Sequence, residues 1–456
     1  MKIVIIGAGK VGHKLAQQLA KEDHDIVVID IDPSATSSLA NSEDVMCITG
    51  NAAEYDIQVE AGVQDCDLVI ACTDSDELNM LCCLLYKNQG AAKTIARVRS
   101  PEYIKQIQYI SDAMGLSMYI NPEMEAAQAI SRVLIFPAAN SVETFAKGKV
   151  ELVEFTLEDS NPLIDMSLKK IHKTYSNKVL ICAVQRGDDV FIPDGDTVLK
   201  KADRIYVASS RQNIHEFFSE IGILATPVRS VMIVGGGKLG YYLASLLTKR
   251  GIKVKVVEEN QTRCDELSEK IPGLIVIKGD GTDQELLEEE RIAGYDAFVS
   301  LTGMDEINII LSLYAKSRNV GKAISKVTQI DFTDMLMDLG IESAISPKDI
   351  TANIILSYVR ALHNSREKSR VESLSFLVGG KVEALEFRVS GDDAFLNVPF
   401  KDLAITKGCL VASIVRGTDI IIPGGSDCIR KDDDIIIVTT NSQISSLQEI
   451  FKVKNQ

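Results

Sequence analysis

The chain has 456 residues, 46% apolar and 25% charged, a length that one hydrophobic core does not normally organise and a composition that excludes a disordered or low-complexity protein. Its 64 acidic and 49 basic side chains leave a net charge of -15, which disfavours nucleic acid and anionic lipid as partners. No run of about 18 apolar residues is available to cross a bilayer, and the first apolar run, Ile3 to Ile6, breaks at Gly7 too early for a signal peptide, so a cytoplasmic protein without direct membrane insertion is expected.

Taken in chain order, the first predicted strand, Val4-Ile5-Ile6, runs straight into Gly7-Ala8-Gly9-Lys10-Val11-Gly12 and then a helix carrying Leu15, Leu19 and Ala20. In such a turn the first glycine permits the tight bend, the second lets a pyrophosphate approach the backbone, and the third lets the helix pack on the strand, with the phosphates on the helix N-terminus. The second strand, Val27-Val28-Ile29, closes on Asp30, 23 positions after Gly7, where a carboxylate accepts hydrogen bonds from both ribose hydroxyls and repels a 2′-phosphate. Short strands alternating with helical patterning continue to residue 122, the signature of a parallel sheet covered on both faces. Ligands bind at the carboxyl ends of such strands, which nominates Asn51, Thr73, Asp74 and Arg97; turn and capping chemistry is the competing account of each.

Beyond a boundary at Pro137–Asn140, residues 140–224 read as a small strand-rich domain containing Arg186-Gly187, Ile192-Pro193 and a strand from Arg204 to Ala208. The Ala225-Thr226-Pro227 linker then opens a second copy of the first unit over 228–348. Here Met232-Ile233-Val234 leads into Gly235-Gly236-Gly237-Lys238-Leu239-Gly240, displaced by 228 positions, with Leu243, Leu246 and Leu247 on the following helix and Glu258 in place of Asp30. The counterparts of the crevice residues are Asp280, Thr302, Gly303 and Lys326, so the second site keeps the threonine and a cation but lacks the Asp74 carboxylate. The polar run Asn364 to Arg370 precedes a second small domain over 370–453, marked by Arg416-Gly417, Ile422-Pro423 and a strand from Asp434 to Val438. The fold class is therefore α/β: two Rossmann-type doubly wound parallel sheets, each followed by a small α+β domain, with each glycine turn expected to serve its own separate site.

Two helical stretches, Met124 to Leu134 and Ile350 to Leu362, follow a proline and carry apolar residues at helical spacing; they pack either on their own unit or against the neighbouring one. The nine cysteines include no Cys-x-x-Cys pair and read as reduced, mostly buried thiols, with no metal site.

The twin fingerprints, Thr73-Asp74, Ala96-Arg97-Val98, Asn121-Pro122-Glu123 with Ser346-Pro347-Lys348, and two small domains bearing Arg-Gly and Ile-Pro form an ordered set that spans essentially the whole chain. This set resembles the TrkA family of Trk potassium-uptake proteins, built from tandem RCK (regulator of potassium conductance) units. The resemblance implies small domains of the RCK C-terminal kind, a homo-oligomeric ring, and a membrane-embedded potassium channel or transporter subunit as partner, with the chain peripheral to the inner face of the cell membrane. It implies NAD or NADH as cofactor; ATP and ADP stay open, because Asp30 addresses a ribose that all of them share. The rival class is an NAD-dependent oxidoreductase, which needs a substrate domain and a proton donor. The two small domains resemble each other rather than such a domain; of the five histidines, His172 and His215 have no counterpart in the second small domain, while His13 follows the glycine turn, His24 lies near a turn and His363 ends a helical stretch, each read as a surface or satisfied histidine. A regulatory, non-enzymatic subunit is the expectation.

Overall fold

The computed structural model describes residues 1–175, 178–223, 227–328, 336, 339, 341, 343–363, 369–442 and 444–454. Strands β1 (Lys2–Ile6), β2 (Asp25–Asp30), β3 (Met46–Thr49), β4 (Leu68–Ala71), β5 (Lys93–Arg97) and β6 (Met118–Ile120) form one parallel sheet in the order 3-2-1-4-5-6. Helices α1 (Lys10–Ala20), α2 (Pro33–Ser42), α3 (Tyr55–Glu60), α4 (Asp76–Gln89), α5 (Pro101–Ile104) and α6 (Ile107–Met114) connect them. Strand β1 is buried on both faces, with Ile3 and Ile5 in one core and Val4 and Ile6 in another, which is why it reads as a continuous apolar run. Strand order reverses between β1 and β4, so the crevice at their carboxyl ends is the ligand position for this topology.

Helix α7 (Pro122–Ile135) leads to an antiparallel sheet of β7 (Ser141–Phe145), β8 (Val150–Thr156), β9 (Leu180–Arg186), β10 (Asp189–Phe191) and β11 (Arg204–Ser209), with helices α8 (Leu168–Thr174) and α9 (Arg211–Glu220). The second parallel sheet repeats the first: β12 (Ser230–Val234), β13 (Lys253–Glu258), β14 (Ile275–Lys278), β15 (Ala297–Ser300), β16 (Lys322–Lys326) and β17 (Ser343–Ile345), in the order 14-13-12-15-16-17. Helices α10 (Lys238–Lys249), α11 (Gln261–Lys270), α12 (Gln284–Glu289) and α13 (Asp305–Ser317) serve it, and α14 (Pro347–His363) follows. The second small domain holds β18 (Ser369–Leu377), β19 (Val382–Val389), β20 (Leu403–Ile405), β21 (Cys409–Arg416), β22 (Asp419–Ile421), β23 (Asp434–Thr439) and β24 (Phe451–Val453). Where the first small domain ends in the amphipathic α9, with Ile214, Phe217 and Phe218 buried, the second ends in β24 paired with β20, and Leu447, Ile450 and Phe451 fill the corresponding core. Of the boundaries read from the sequence, 137–140 falls between α7 and β7; Ala225, Thr226 and residues 364–368 lie outside the described residues.

The two proline-led helices cross between halves. Helix α7 packs on α10 of the second sheet, and α14 packs on α1 of the first. Ala126, Ile130 and Val133 of α7 thus share a core with Leu239, Leu243 and Leu247, while Ala352, Ile355 and Val359 of α14 share one with Leu15 and Leu19. Alanines at these contacts let the helix axes approach closely, and the seam is polar as well as apolar: Asn121 donates to the Tyr242 hydroxyl at 2.9 Å, and Tyr242 donates to the Arg99 carbonyl at 2.9 Å. Arg360 of α14 pairs with Glu22 at 2.6 Å and Glu383 at 2.8 Å, all three largely buried. The small domains pack sheet to sheet through Phe145, Leu152, Tyr206, Leu377, Ile436 and Val438. The molecule is therefore an internal pseudo-dimer whose halves exchange a helix.

Candidate nucleotide site

Both glycine turns have the geometry that the fingerprint demands. Gly7 and Gly235 take φ of +105°, a conformation open to glycine, and donate to the carbonyls of Ile29 and Val257 at 2.8 and 3.0 Å. A β-carbon on Gly12 would stand 1.8 Å from the Gly7 carbonyl oxygen, and one on Gly240 would stand 2.2 Å from that of Gly235, so the third glycine is where helix meets turn. In front of Gly9 and Gly237 there is no atom within 4 Å. Those two residues are the N-caps of α1 and α10 and, having no side chain, leave the first amides of each helix uncapped by it.

The acidic residues are held by their own turns. Asp30 accepts from the Ala8 amide at 2.6 Å and the Asp32 amide at 2.9 Å; Glu258 accepts from Gly236 and Asn260 at the same distances. These bonds orient each carboxylate across the turn and leave lone pairs for ribose hydroxyls.

One cavity of about 900 Å³ joins the two turns. From the first half it draws Gly7, Gly9, Lys10, Val11, Asp30, Asn51, Thr73, Asp74 and Arg97; from the second it draws Gly237, Lys238, Leu239, Gly240 and Lys326. Ala8 and Gly12 lie behind this wall, packed within the turn, and Gly235, Gly236, Glu258, Asp280 and Thr302 are likewise not part of it. The two separate clefts expected from the duplication are thus joined at their phosphate turns, because α7 and α14 hold the sheets face to face. Lys10 reaches across to donate to the Thr328 hydroxyl at 3.4 Å.

Several nominated side chains are partly occupied by the protein. The Thr73 hydroxyl donates to Asn79 Oδ1 at 2.7 Å and that of Thr302 to Asn308 Oδ1 at 2.8 Å, while the amides of Asn79 and Asn308 donate to the carbonyls of Arg97 and Lys326 at 2.9 and 3.0 Å. Two fully buried asparagines therefore clamp the β4 and β15 loops to the neighbouring strands. Asn51 accepts from the Ala53 amide at 3.1 Å, and Asp280 accepts from the Thr282 amide and hydroxyl at 2.8 Å, bonds that hold its carboxyl below the usual range. Arg97 donates to the Cys72 carbonyl at 3.2 Å and to Asp74 at 3.3 Å, with its Nε left buried and unpartnered. Burial pulls the Lys326 ammonium below the ordinary lysine range; Asp305 opposes this and Lys10 adds to it. Burial pushes the Cys72 thiol, also on the wall, up to about 12, leaving it un-ionised at neutral pH.

Among the lining residues that the sequence had not nominated are Glu123 and Lys348, each following the proline that starts a crossing helix, and Thr328. The signal was present, since both Pro-x pairs follow the last strand of a Rossmann sheet, at the edge where ligands bind. Glu123 keeps one carboxylate oxygen buried without a partner. In the second half, Arg263 donates to the Gly236 carbonyl at 2.7 Å; the first half has Ala35 there, so the surroundings of the two turns differ.

A family model for the TrkA-N domain matches residues 3–122 and 231–347, and one for the TrkA-C domain matches 152–222 and 384–452. The chain belongs to the TrkA family. TrkA-named relatives include a Trk system potassium uptake protein TrkA homolog of Methanosarcina mazei, 32% identical over 99% of this chain and 100% of its own length. The Archaeoglobus fulgidus homolog is 32% identical over 99% and 100%, and the Vibrio alginolyticus TrkA is 32% identical over 99% of each. Among solved structures, the GsuK channel aligns with a TM-score of 0.63 at 17% identity over 98% of this chain and 77% of that one. A GsuK channel bound to NAD aligns at 0.62 and 17%, over 96% and 76%. Those two likenesses are of fold: tandem Rossmann units, each with its small domain, as in the TrkA repeat described above.

Proposed function

We propose that this chain is the regulatory subunit of a potassium uptake system, taking NAD(H) or an adenine nucleotide in the cavity between its two glycine turns and coupling that binding to transport. The observation that carries the reading is that both phosphate turns, the Asp30 carboxylate and cations from both halves line one cavity. A nucleotide there would rest its pyrophosphate on the α1 amides and Lys10 and its ribose on Asp30. Lys238, Lys326 and Lys348 would face the phosphates from the opposite half. A ligand that touches both halves binds one arrangement of them better than another, and it shifts the equilibrium by that difference, typically about 1–3 kcal/mol.

The relatives' names support potassium uptake, and solved GsuK structures titled as bound to NAD and to ADP support both ligand classes. We place the chain in the cytoplasm, in a homo-oligomeric ring attached to the inner face of the membrane through a membrane-embedded potassium channel or transporter; no described helix is long and apolar enough to cross a membrane itself. Against the oxidoreductase reading, the described residues of the wall include no histidine, and the Cys72 thiol there is un-ionised.

Two measurements test this. Potassium flux through vesicles containing the partner should respond to at least one nucleotide, and bound NADH should persist when candidate small substrates are added. Sustained NADH oxidation beyond one equivalent, with flux indifferent to every nucleotide, rejects the proposal in favour of an oxidoreductase.

A further inference from the structure

A second cavity, of about 590 Å³, lies at the seam of the two halves and shares no lining residue with the nucleotide cavity. Helix α7 and strand β7 wall it from the first half, α14 and β18 from the second. Among the described residues, three carboxylates face it, Glu125, Glu143 and Glu372, against one guanidinium, Arg132, which is itself engaged with the Val142 carbonyl at 3.3 Å. Glu143 spans the seam, accepting from the Ser375 hydroxyl at 3.0 Å. On α14, Ser357 is 8% exposed and its hydroxyl has no partner, an uncompensated polar group at the cavity wall. Burial pushes the carboxyls of Glu125 and Glu143 upward, and Arg132 counters this, so among the described residues one cation faces both acids.

The layout selects the kind of cation. Among the described residues no three His, Cys, Asp or Glu side chains gather closely enough to hold a metal ion, so the negative charge is spread around the walls rather than focused on a point. Beside the carboxylates and the polar side chains of Gln128, Asn353 and Ser357, the lining includes the aliphatic side chains of Ile354, Leu362 and Leu374. A complementary ligand therefore carries separated ammonium groups on a hydrocarbon stem.

We propose that this seam cavity is a binding site for an aliphatic polyamine, its ammonium groups on Glu125 and Glu143 and its methylenes along the aliphatic wall. Such a ligand contacts both crossing helices and both small-domain sheets at once, and it favours the arrangement in which they stand together. The site stands independently of the nucleotide reading.

The test is calorimetric titration of the full-length protein with spermidine at physiological salt. Saturable binding is expected, weakened roughly tenfold or more by Glu125→Gln and by Glu143→Gln, the scale of one lost charge-assisted contact. Glu289→Gln, on the surface helix α12, should leave it unchanged. Binding that never saturates, that survives both seam variants, or that magnesium chloride of equal ionic strength reproduces, overturns the proposal. Because either seam variant could disturb folding, the wild-type chain is also photolabelled with an azide-bearing spermine analogue: adducts on α7, β7, α14 or β18 support the site, and adducts confined elsewhere reject it.

Discussion

Gly9 and Gly12 stand three residues apart in one turn, yet their surroundings ask opposite things of a substitution. Gly9 has a φ of -66° and no atom within 4 Å of where a β-carbon would sit, so Gly9→Val should fold with stability within about 0.5 kcal/mol of wild type while losing nucleotide at the first turn. Gly12→Ala instead places a carbon 1.8 Å from the Gly7 carbonyl, and overpacking against backbone should cost about 1–3 kcal/mol or more of folding free energy. Urea unfolding beside nucleotide titration separates the two effects; a Gly9→Val protein that binds normally refutes the assignment of the turn. Asp30→Ala should weaken binding by about 1.5–3 kcal/mol, the worth of a charge-assisted hydrogen bond to ribose. It also frees the Ala8 amide, so its unfolding curve must be measured alongside.

At the level of elements, the crossing helices make unequal demands on their ion pairs. Arg360 of α14 is 7% exposed between Glu22 and Glu383, and removing it leaves two largely buried carboxylates without their cation. Arg360→Ala should therefore destabilise the chain by about 3–5 kcal/mol in denaturant unfolding. Arg388 pairs with Asp434 at a similar 2.7 Å but is 43% exposed, and Arg388→Ala should cost no more than about 1 kcal/mol, since solvent screens that pair. Equal losses for the two would show that burial does not govern these pairs. Of the two roles open to helices α7 and α14 from their patterning, the structure shows both: each packs on its own unit, α7 on β7 and α14 on β18, and also bridges to the other half, and which sheet receives the bridging stripe depends on the docking of that half.

For the whole molecule, the shared cavity changes what a double site means. Gly237→Val should lower nucleotide affinity at the first turn as well as at the second, because Gly237 lines the same cavity as Gly9; each turn variant keeping half the nucleotide at unchanged affinity would show that the turns act separately. Acid stability reports on the same contact between halves. Glu102 accepts from Lys270 across it at 2.7 Å, and hydrogen bonds from Lys270 and Ser100 hold its carboxyl down to about 2. A folded value below the unfolded one means that the contribution is complete above about pH 4.3 and disappears as pH falls toward 2. Since Glu102 is 58% exposed, the effect is small. Unfolding free energy followed from pH 5 to 2 should fall slightly less steeply in Glu102→Gln than in wild type; identical slopes would remove the pair from the acid response.

The duplicated architecture, the glycine turns and the acids that close the second strands were all legible in the chain, because each depends on local physics: strand and helix periodicity, a φ that favours glycine at Gly7 and Gly235, and a fixed spacing from turn to carboxylate. Thr73 and Thr302 were found by position at strand ends, but their clamps, Asn79 and Asn308, were not nominated, since a buried amide acquires its role from carbonyls 18 positions away. Glu123 and Lys348 in the cleft, its sharing between two sheets and the acidic seam cavity follow from the docking of one half on the other. Contacts such as Arg360 with Glu22, 338 residues apart, have no periodicity to reveal them. The sequence determined the repeated units because their conformations are set over a few residues; the tertiary structure alone decided that two units make one cavity, because that rests on which apolar faces bury each other.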